Sequence, residues 1–477
     1  MKLLIAITNY GTKNDRYLRT ILDRYLALPY TVKIVVYTNT PKNLGDQVSV
    51  VVADPPEPNP RSFPFLARHL FVESVDQYDF FIYSEDDIEI TSDHITLFLD
   101  LVPRLPSHYV PGFLRYEIDA YGNISLPDIH GSFHWCPNSV ERFGEYIFAN
   151  FTNPNMGSYI LTQSHLSIAI QSNNYCLLPK RSRYGIIESS VCDVFYDCNL
   201  KLMTCISHID QFLIHHISNR FLGNLGIQKE QLQREIGALL DIEAGKLTDY
   251  RLFETETKLT QNIFDKSYYS KCNFNIVKAV GFNKYKNVLS VGCGSGETEA
   301  EILKYGHHVT AIPLDVVISV TAQAKGIKTL TPNFNLAFDE LAEQKFDCII
   351  FNNVLNYLPE PIKILTLFSS VLSQNGSIIA NFLNTDCSHW LNKRYLPSVR
   401  NNPFSPMDES IKDRSFNGLG IHFTNKKNVK HWFDESGLKL HSMTYLTPRN
   451  FRKKVWLSMG LLAARFSPNF MIIAKKR

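Results

Sequence analysis

Unbroken apolar runs of strand length alternate along this chain with stretches whose apolar residues return every three or four positions. Residues 3–7 and 32–37 are runs of the first kind, and 15–28 between them carries Tyr17, Leu18, Ile21, Leu22 and Leu26 at helical spacing. A proline-rich loop over 54–64 precedes a helical stretch at 65–75, and an apolar strand follows from 78. In the second half, runs at 288–291, 309–312, 327–330, 346–355, 377–381 and 470–474 predict strands. Helical stretches at 297–305, 362–372 and 429–436 separate them. Alternation of this kind predicts the α/β class in both halves. Residues 223–265 have no strand-like run and read as a helical connector, which divides the chain into domains at 1–222 and 266–477.

Length and composition agree with that division. A chain of 477 residues exceeds what a single core comfortably fills. Hydrophobic residues at 44% and charged residues at 20% describe an ordinary soluble globular protein, and a net charge of +3 gives no overall nucleic-acid signature. Nine scattered cysteines show no CxxC pair and no zinc-site spacing, which favours a reducing compartment. Residues 1–7 read as a first strand rather than a signal segment, and no apolar run approaches the roughly 20 residues that span a bilayer. A cytoplasmic location is expected, with oligomeric state left open.

The stretch 287–315 organises the second half. It reads NVLSVGCGSGETEAEILKYGHHVTAIPLD: a strand, three glycines at alternate positions, a helix, then a second strand. Glycines there permit a tight turn and close approach of a ligand to the backbone. The spacing is G-x-G-x-G, not the G-x-G-x-x-G of dinucleotide sites, and other nucleotide-binding α/β domains remain open on this motif alone. In its strand-turn-helix context the motif resembles the first motif of class I S-adenosylmethionine-dependent methyltransferases. The run F-D-C-I-I from Phe346, the loop Asn356-Tyr357-Leu358-Pro359-Glu360-Pro361, and the Asn375-Gly376 turn before a strand resemble later segments of that family. The resemblance implies a Rossmann-like seven-stranded fold. It also implies cofactor contacts from Gly292, Cys293, Gly294, Ser295, Gly296, Asn335, Asn353 and Val354. One departure stands out: Pro313 occupies the place of the family's ribose-binding acid, so Asp315 is expected to take that role. An activated sulfonium needs little beyond alignment and a base, and His389 and His422 are the candidates, against packing roles for both.

In the first half, an apolar strand runs directly into Glu85-Asp86-Asp87. Adjacent carboxylates repel unless something cationic joins them, and Mg²⁺ or Mn²⁺ takes such oxygen ligands. A solvated acidic turn is the plainer alternative. The segment resembles the acidic motif of GT-A glycosyltransferases. That resemblance implies nucleotide-sugar contacts from Thr8, Asn9, Tyr10, Arg68, Glu85, Asp86 and Gly157, and metal ligation by Asp87, Asp86, His215 and His216. It also implies a catalytic acid or base at Glu188 or Asp193, against an exposed carboxylate at a helix start. The histidines, set in an apolar stretch read as a helix, have packing as their alternative.

Together these readings predict a two-domain transferase: metal-dependent sugar transfer by a GT-A-like domain, then O-methylation of a glycan or related acceptor. Two rivals stand beside it. In one, only the methyltransferase works and the front domain binds its sugar substrate; in the other, Pro313 marks a decayed, non-catalytic scaffold. A basic-apolar stretch at 449–462 allows peripheral membrane contact, with an inserted helix as the plainer account.

Overall fold

The computed structural model of the protein describes residues 1–177, 184–259, 262–282, 285–341, 344–387, 416 and 419–477. The chain divides into two compact units, Met1–Leu247 and Thr248–Arg477. The segment expected as a connector is shared between them. Its helix Lys229–Glu243 belongs to the first unit, where Glu243 takes a two-pronged pair from Arg142 at 2.6 Å. Residues from Thr248 onward join the second, with Leu252 N donating to Leu314 O at 2.8 Å.

The first unit is built on a five-stranded sheet. Val48–Val52, Thr31–Thr38, Lys2–Asn9 and Phe80–Glu85 lie parallel in that order, and Ser158–Thr162 closes the edge antiparallel to Phe80–Glu85. Leu3 to Ile7 are buried throughout, as a parallel strand covered on both faces requires. The helix Asp15–Leu26 buries Leu18, Ile21 and Leu22 as its spacing predicts, with Tyr25 in place of Leu26, which is exposed, and Tyr17 half-buried. Two smaller sheets were not foreseen. One has Tyr109–Gly112, Lys201–Cys205, Tyr146–Ala149 and Glu141–Phe143; the other has Ile227–Gln228, Ile124–Leu126, Leu114–Ile118, Leu213–His216 and Ile88–Glu89. The stretch read as a histidine-bearing helix is therefore corrected: Leu213–His216 is a strand, entered from a short 3₁₀ turn at Ile209–Phe212.

The second unit has one seven-stranded sheet. Its order is Lys328–Thr329, His308–Pro313, Asn287–Cys293, Phe346–Asn352, Leu372–Leu383, Asn469–Lys476 and Leu438–Leu446. Five strands run parallel, and Asn469–Lys476 pairs antiparallel with both neighbours. Strand order reverses direction between Asn287–Cys293 and Phe346–Asn352, so the crevice of this sheet opens at the carboxyl ends of those two strands. Asn375-Gly376, expected as a turn, lies within the long strand Leu372–Leu383 where its register with Phe346–Asn352 slips. A helix at Phe274–Phe282 precedes the first of these strands in the chain, and an irregular segment before it returns to the glycine turn.

Candidate functional site

In the second unit, the glycine turn follows the strand Asn287–Cys293. Gly292 and Gly296 take φ of +72° and +80°, values that L side chains rarely adopt. Gly294 is required for a different reason. A Cβ there would fall onto the carbonyl oxygen of Tyr268, which also accepts from Ser295 N at 2.8 Å. The irregular segment before the helix Phe274–Phe282 therefore backs the turn directly. Gly296 then caps the helix Glu297–Lys304.

Lys266, Tyr268, Ser270, Asn352 and the turn itself line one recess. The Lys266 ammonium is buried and donates to Asn352 O at 2.8 Å. Burial brings its pKa down to about 8, with the nearby Glu299 carboxylate acting in the opposite direction. Glu299 is itself buried and accepts from Ser290 Oγ at 2.6 Å. Asn352 Oδ1 accepts from the amides of Asn273 at 3.1 Å and Asn381 at 3.4 Å. The amide oxygens of Asn353, next to Asn352 in the chain, and of Asn381, whose amide meets Asn352 Oδ1, are buried with no hydrogen-bond partner. Orphaned buried acceptors are uncommon, and these two border Asn352, whose carbonyl holds the Lys266 ammonium. Asn353 also holds a left-handed backbone with φ of 52°, and Val354 packs against Gly292.

Asp315 is buried and caps the helix Val316–Ala324 through Ile318 N at 2.7 Å, with the Tyr268 hydroxyl beside it. Asn335 sits on the exposed side of the helix Phe334–Leu341, which Asn333 rather than Asn335 caps. His389 lies outside the described residues. His422 Nε2 reaches the carbonyls of Leu358 at 3.0 Å and Pro359 at 3.4 Å. Carbonyls only accept, so Nε2 carries the proton and Nδ1 keeps its lone pair. Burial lowers the His422 pKa, which holds the ring neutral near pH 7.

In the first unit, Asn9, Glu85, Asp86, Asp87, Gly157 and His216 come together at the carboxyl end of the sheet. Asp86 accepts from the Asn9 and Asn14 amides, each at 2.7 Å. His216 lies between two carboxylates, with Nδ1 2.6 Å from Glu117 and Nε2 3.1 Å from Asp87. Burial raises the Glu85 pKa to about 8 and that of Asp86 to about 6, reinforced by the neighbouring carboxylates. Burial also pushes Asp87 up, but its hydrogen bond to His216 and that ring's charge outweigh it and hold the carboxyl below the ordinary value. Gly157, with φ of +62°, places its carbonyl to accept from Glu85 N at 2.8 Å. Arg115, in a two-pronged pair with Asp128 at 2.6 and 2.8 Å, supplies the nearby positive charge.

The expected metal set does not form. His215 and His216 are neighbours on a strand and face opposite ways. His215 stacks on Tyr116 with ring centroids 4.9 Å apart, 3.7 Å from Glu89, in a separate cleft of about 480 Å³. Asp86 is bound by two amides instead. Among the described residues no group of three or more His, Cys, Asp or Glu side chains is arranged to hold a metal ion.

Arg68 is corrected too. It is 2% exposed and donates to the carbonyls of Tyr175 at 2.7 Å, Ser189 at 3.1 Å and Ser190 at 3.0 Å. Its task is to fasten the helix Ile186–Tyr196. Arg68→Ala strands these carbonyls, and we expect it to destabilise the first unit by roughly 3 kcal/mol or more. Urea unfolding of the full chain checks this; an unchanged midpoint contradicts it. Thr8 is turned to the Tyr83 hydroxyl at 3.1 Å, and Tyr10 packs edge-on against Phe63. Glu188 sits in the first turn of its helix, folded back toward Gly185. Asp193 lies one and a half turns on, and the charges of Asp193, Glu188 and Asp128 all bear on Cys192, whose thiol burial raises first.

Residues 264–443 match the family model described as the methyltransferase domain. The C-terminal region thus carries a class I methyltransferase domain with a Rossmann-like fold. A ubiquinone biosynthesis O-methyltransferase of Pasteurella multocida (strain Pm70) is 25% identical over 205 residues, covering 39% of this chain and 79% of the relative. A malonyl-[acyl-carrier protein] O-methyltransferase of Ilyobacter polytropus is 24% identical over 176 residues, covering 36% of this chain and 55% of the relative. Among solved structures, magnesium protoporphyrin IX methyltransferase from Synechocystis PCC 6803 with bound SAH matches at 12% identity and a TM-score of 0.30. It covers 43% of this chain and 81% of that one.

Proposed function

We propose that this protein is an S-adenosylmethionine-dependent O-methyltransferase whose N-terminal unit binds the hydroxylated acceptor, a glycan or related compound. The observation that carries the reading is the recess itself: a glycine turn and a buried ammonium at the reversal point of the sheet, with the unpartnered amide oxygens of Asn353 and Asn381 next to Asn352. S-adenosylmethionine, when bound, supplies an electrophilic methyl group on a sulfonium. Lys266 suits its carboxylate, and the oxygens of Asn353 and Asn381 suit its amino group. The turn's backbone N–H groups and the start of Glu297–Lys304 suit the remaining polar atoms. His422 Nδ1 takes the hydroxyl proton as the oxygen is methylated.

Support for an acceptor role of the first unit comes from Asn9, whose Oδ1 is buried with no partner beside the carboxylates. The test is transfer of labelled methyl from S-adenosylmethionine to a panel of hydroxylated sugars. Labelled ether product supports the reading; label confined to carboxyl or amine acceptors overturns it.

Lys266 gives the reading a pH signature. Its ammonium attracts the ligand carboxylate, so affinity is fully present below about pH 8 and falls, by up to about tenfold per unit, as pH rises above that value. The ligand's own α-amino group titrates nearby, so the Lys266 contribution is the difference between wild type and Lys266→Met. Equal pH slopes in the two proteins contradict the assignment.

A second reading adds sugar transfer by the first unit. It is favoured by Glu85, Asp86 and Asp87 ending a parallel strand next to Gly157. Incubation with labelled nucleotide sugars decides it: transferred sugar supports it, and none leaves the unit as the acceptor-binding part.

A further inference from the structure

The segment between the last two strands, residues 447–468, belongs neither to the sheet nor to the recess. It forms a small hairpin of two short helices, Arg452–Leu457 and Ala463–Phe466. Its base is fixed. Phe451 stacks on Phe466 with centroids 5.2 Å apart, Lys454 lies within 6 Å of both rings, and Asn384 Nδ2 donates to the carbonyls of Ala464 and Ser467 at 2.7 Å. Its tip is not packed. The chain reverses at Met459 and Gly460, both at positive φ, and presents Trp456 at 77%, Leu457 at 63%, Met459 at 89% and Leu461 at 83% exposure. Four large apolar side chains this exposed within six residues are rare on a water-facing surface.

The charges around them have one sign. Arg449, Arg452, Lys453, Lys454 and Arg465 are exposed on the same hairpin. From residue 437 to 477 the sequence has nine Lys and Arg and no Asp or Glu. We propose that this hairpin docks the protein on an anionic lipid bilayer, with Trp456, Leu457, Met459 and Leu461 entering the interface while the cations lie among the headgroups. Apolar insertion and headgroup attraction together supply the two signals that reversible membrane binding needs. A second copy of this chain fits poorly, because an isologous contact through the tip sets like cations against like. A nucleic acid would use the cations and leave the apolar tip in water. The inference stands independently of the methyl-transfer reading, and no helix among the described residues is long and apolar enough to cross a membrane.

The test is co-sedimentation of the full chain with phosphatidylcholine vesicles, with and without phosphatidylglycerol, alongside Trp456 fluorescence. Binding is expected only with the anionic lipid, with a blue shift that Trp456→Phe removes. Salt raised from about 0.1 M to about 1 M, where the Debye length falls from ~10 to ~3 Å, releases the protein. Lys453→Glu with Lys454→Glu lowers partitioning by about fivefold per charge or more. Trp456→Ala with Leu457→Ala lowers it at least about tenfold while melting temperature and S-adenosylmethionine binding stay unchanged. Equal binding to neutral vesicles, or undiminished binding of the Trp456/Leu457 variant, overturns the proposal. So does a dimer in sedimentation velocity that the same variant dissociates, in the absence of vesicle binding.

Discussion

Gly294→Ala binds S-adenosylmethionine at least about 100-fold more weakly than wild type, a loss near 2.7 kcal/mol. The substitution adds one methyl group, and space alone makes it costly. The new Cβ is driven into the Tyr268 carbonyl, a backbone atom that cannot rotate away. That carbonyl also holds Ser295 N. Either the glycine turn lifts off its support or the segment carrying Lys266 and Tyr268 retreats, and each movement opens the recess. Because Gly294 lies at a strand end outside the two clusters of the sheet's core, the unit itself is expected to stay folded. Isothermal titration with circular dichroism as control separates the outcomes. Wild-type affinity in a folded variant would show that the turn does not form the cofactor site.

The second large effect is expected at His422. His422→Phe keeps an aromatic ring against Phe416 and Trp432 but removes the Nδ1 acceptor, and turnover falls by about 10²–10⁴. Affinity for S-adenosylmethionine is unchanged, because the ring bonds to Leu358 and Pro359 and not to the recess residues. The wild-type pH profile carries the same information. Neutral imidazole is the competent form and burial lowers its pKa, so turnover stays level near neutrality and declines only below the ordinary histidine range. A variant that retains wild-type turnover would place the proton elsewhere.

The glycine turn and its flanking strands were legible because local sequence dictates them: apolar runs of strand length, glycines at forced φ, a helix after. The same holds for the parallel core of the first unit, where Leu3 to Ile7 follow their pattern and the helix Asp15–Leu26 follows its own except that Tyr25 and not Leu26 is buried. Lys266 was not legible. It lies on an irregular segment with no motif of its own, and its importance comes from a fold that returns it to Asn352, 86 residues away. Glu117 and Arg115 left a faint signal, being charged residues at alternate positions of Leu114–Ile118, one face of a strand. Glu117 meets His216 because Leu213–His216 pairs beside that strand, and this pairing is long-range. Arg68 misled for a related reason. A lone arginine on a helix looks available to a phosphate, and only the tertiary structure shows its donors turned to three backbone carbonyls.

Calorimetric titration of S-adenosylmethionine into the wild-type chain and Lys266→Met at neutral pH tests the cofactor site. One site per chain is expected in the wild type, with markedly weaker binding in the variant. No heat from the wild type, or equal affinity in both proteins, would contradict the assignment.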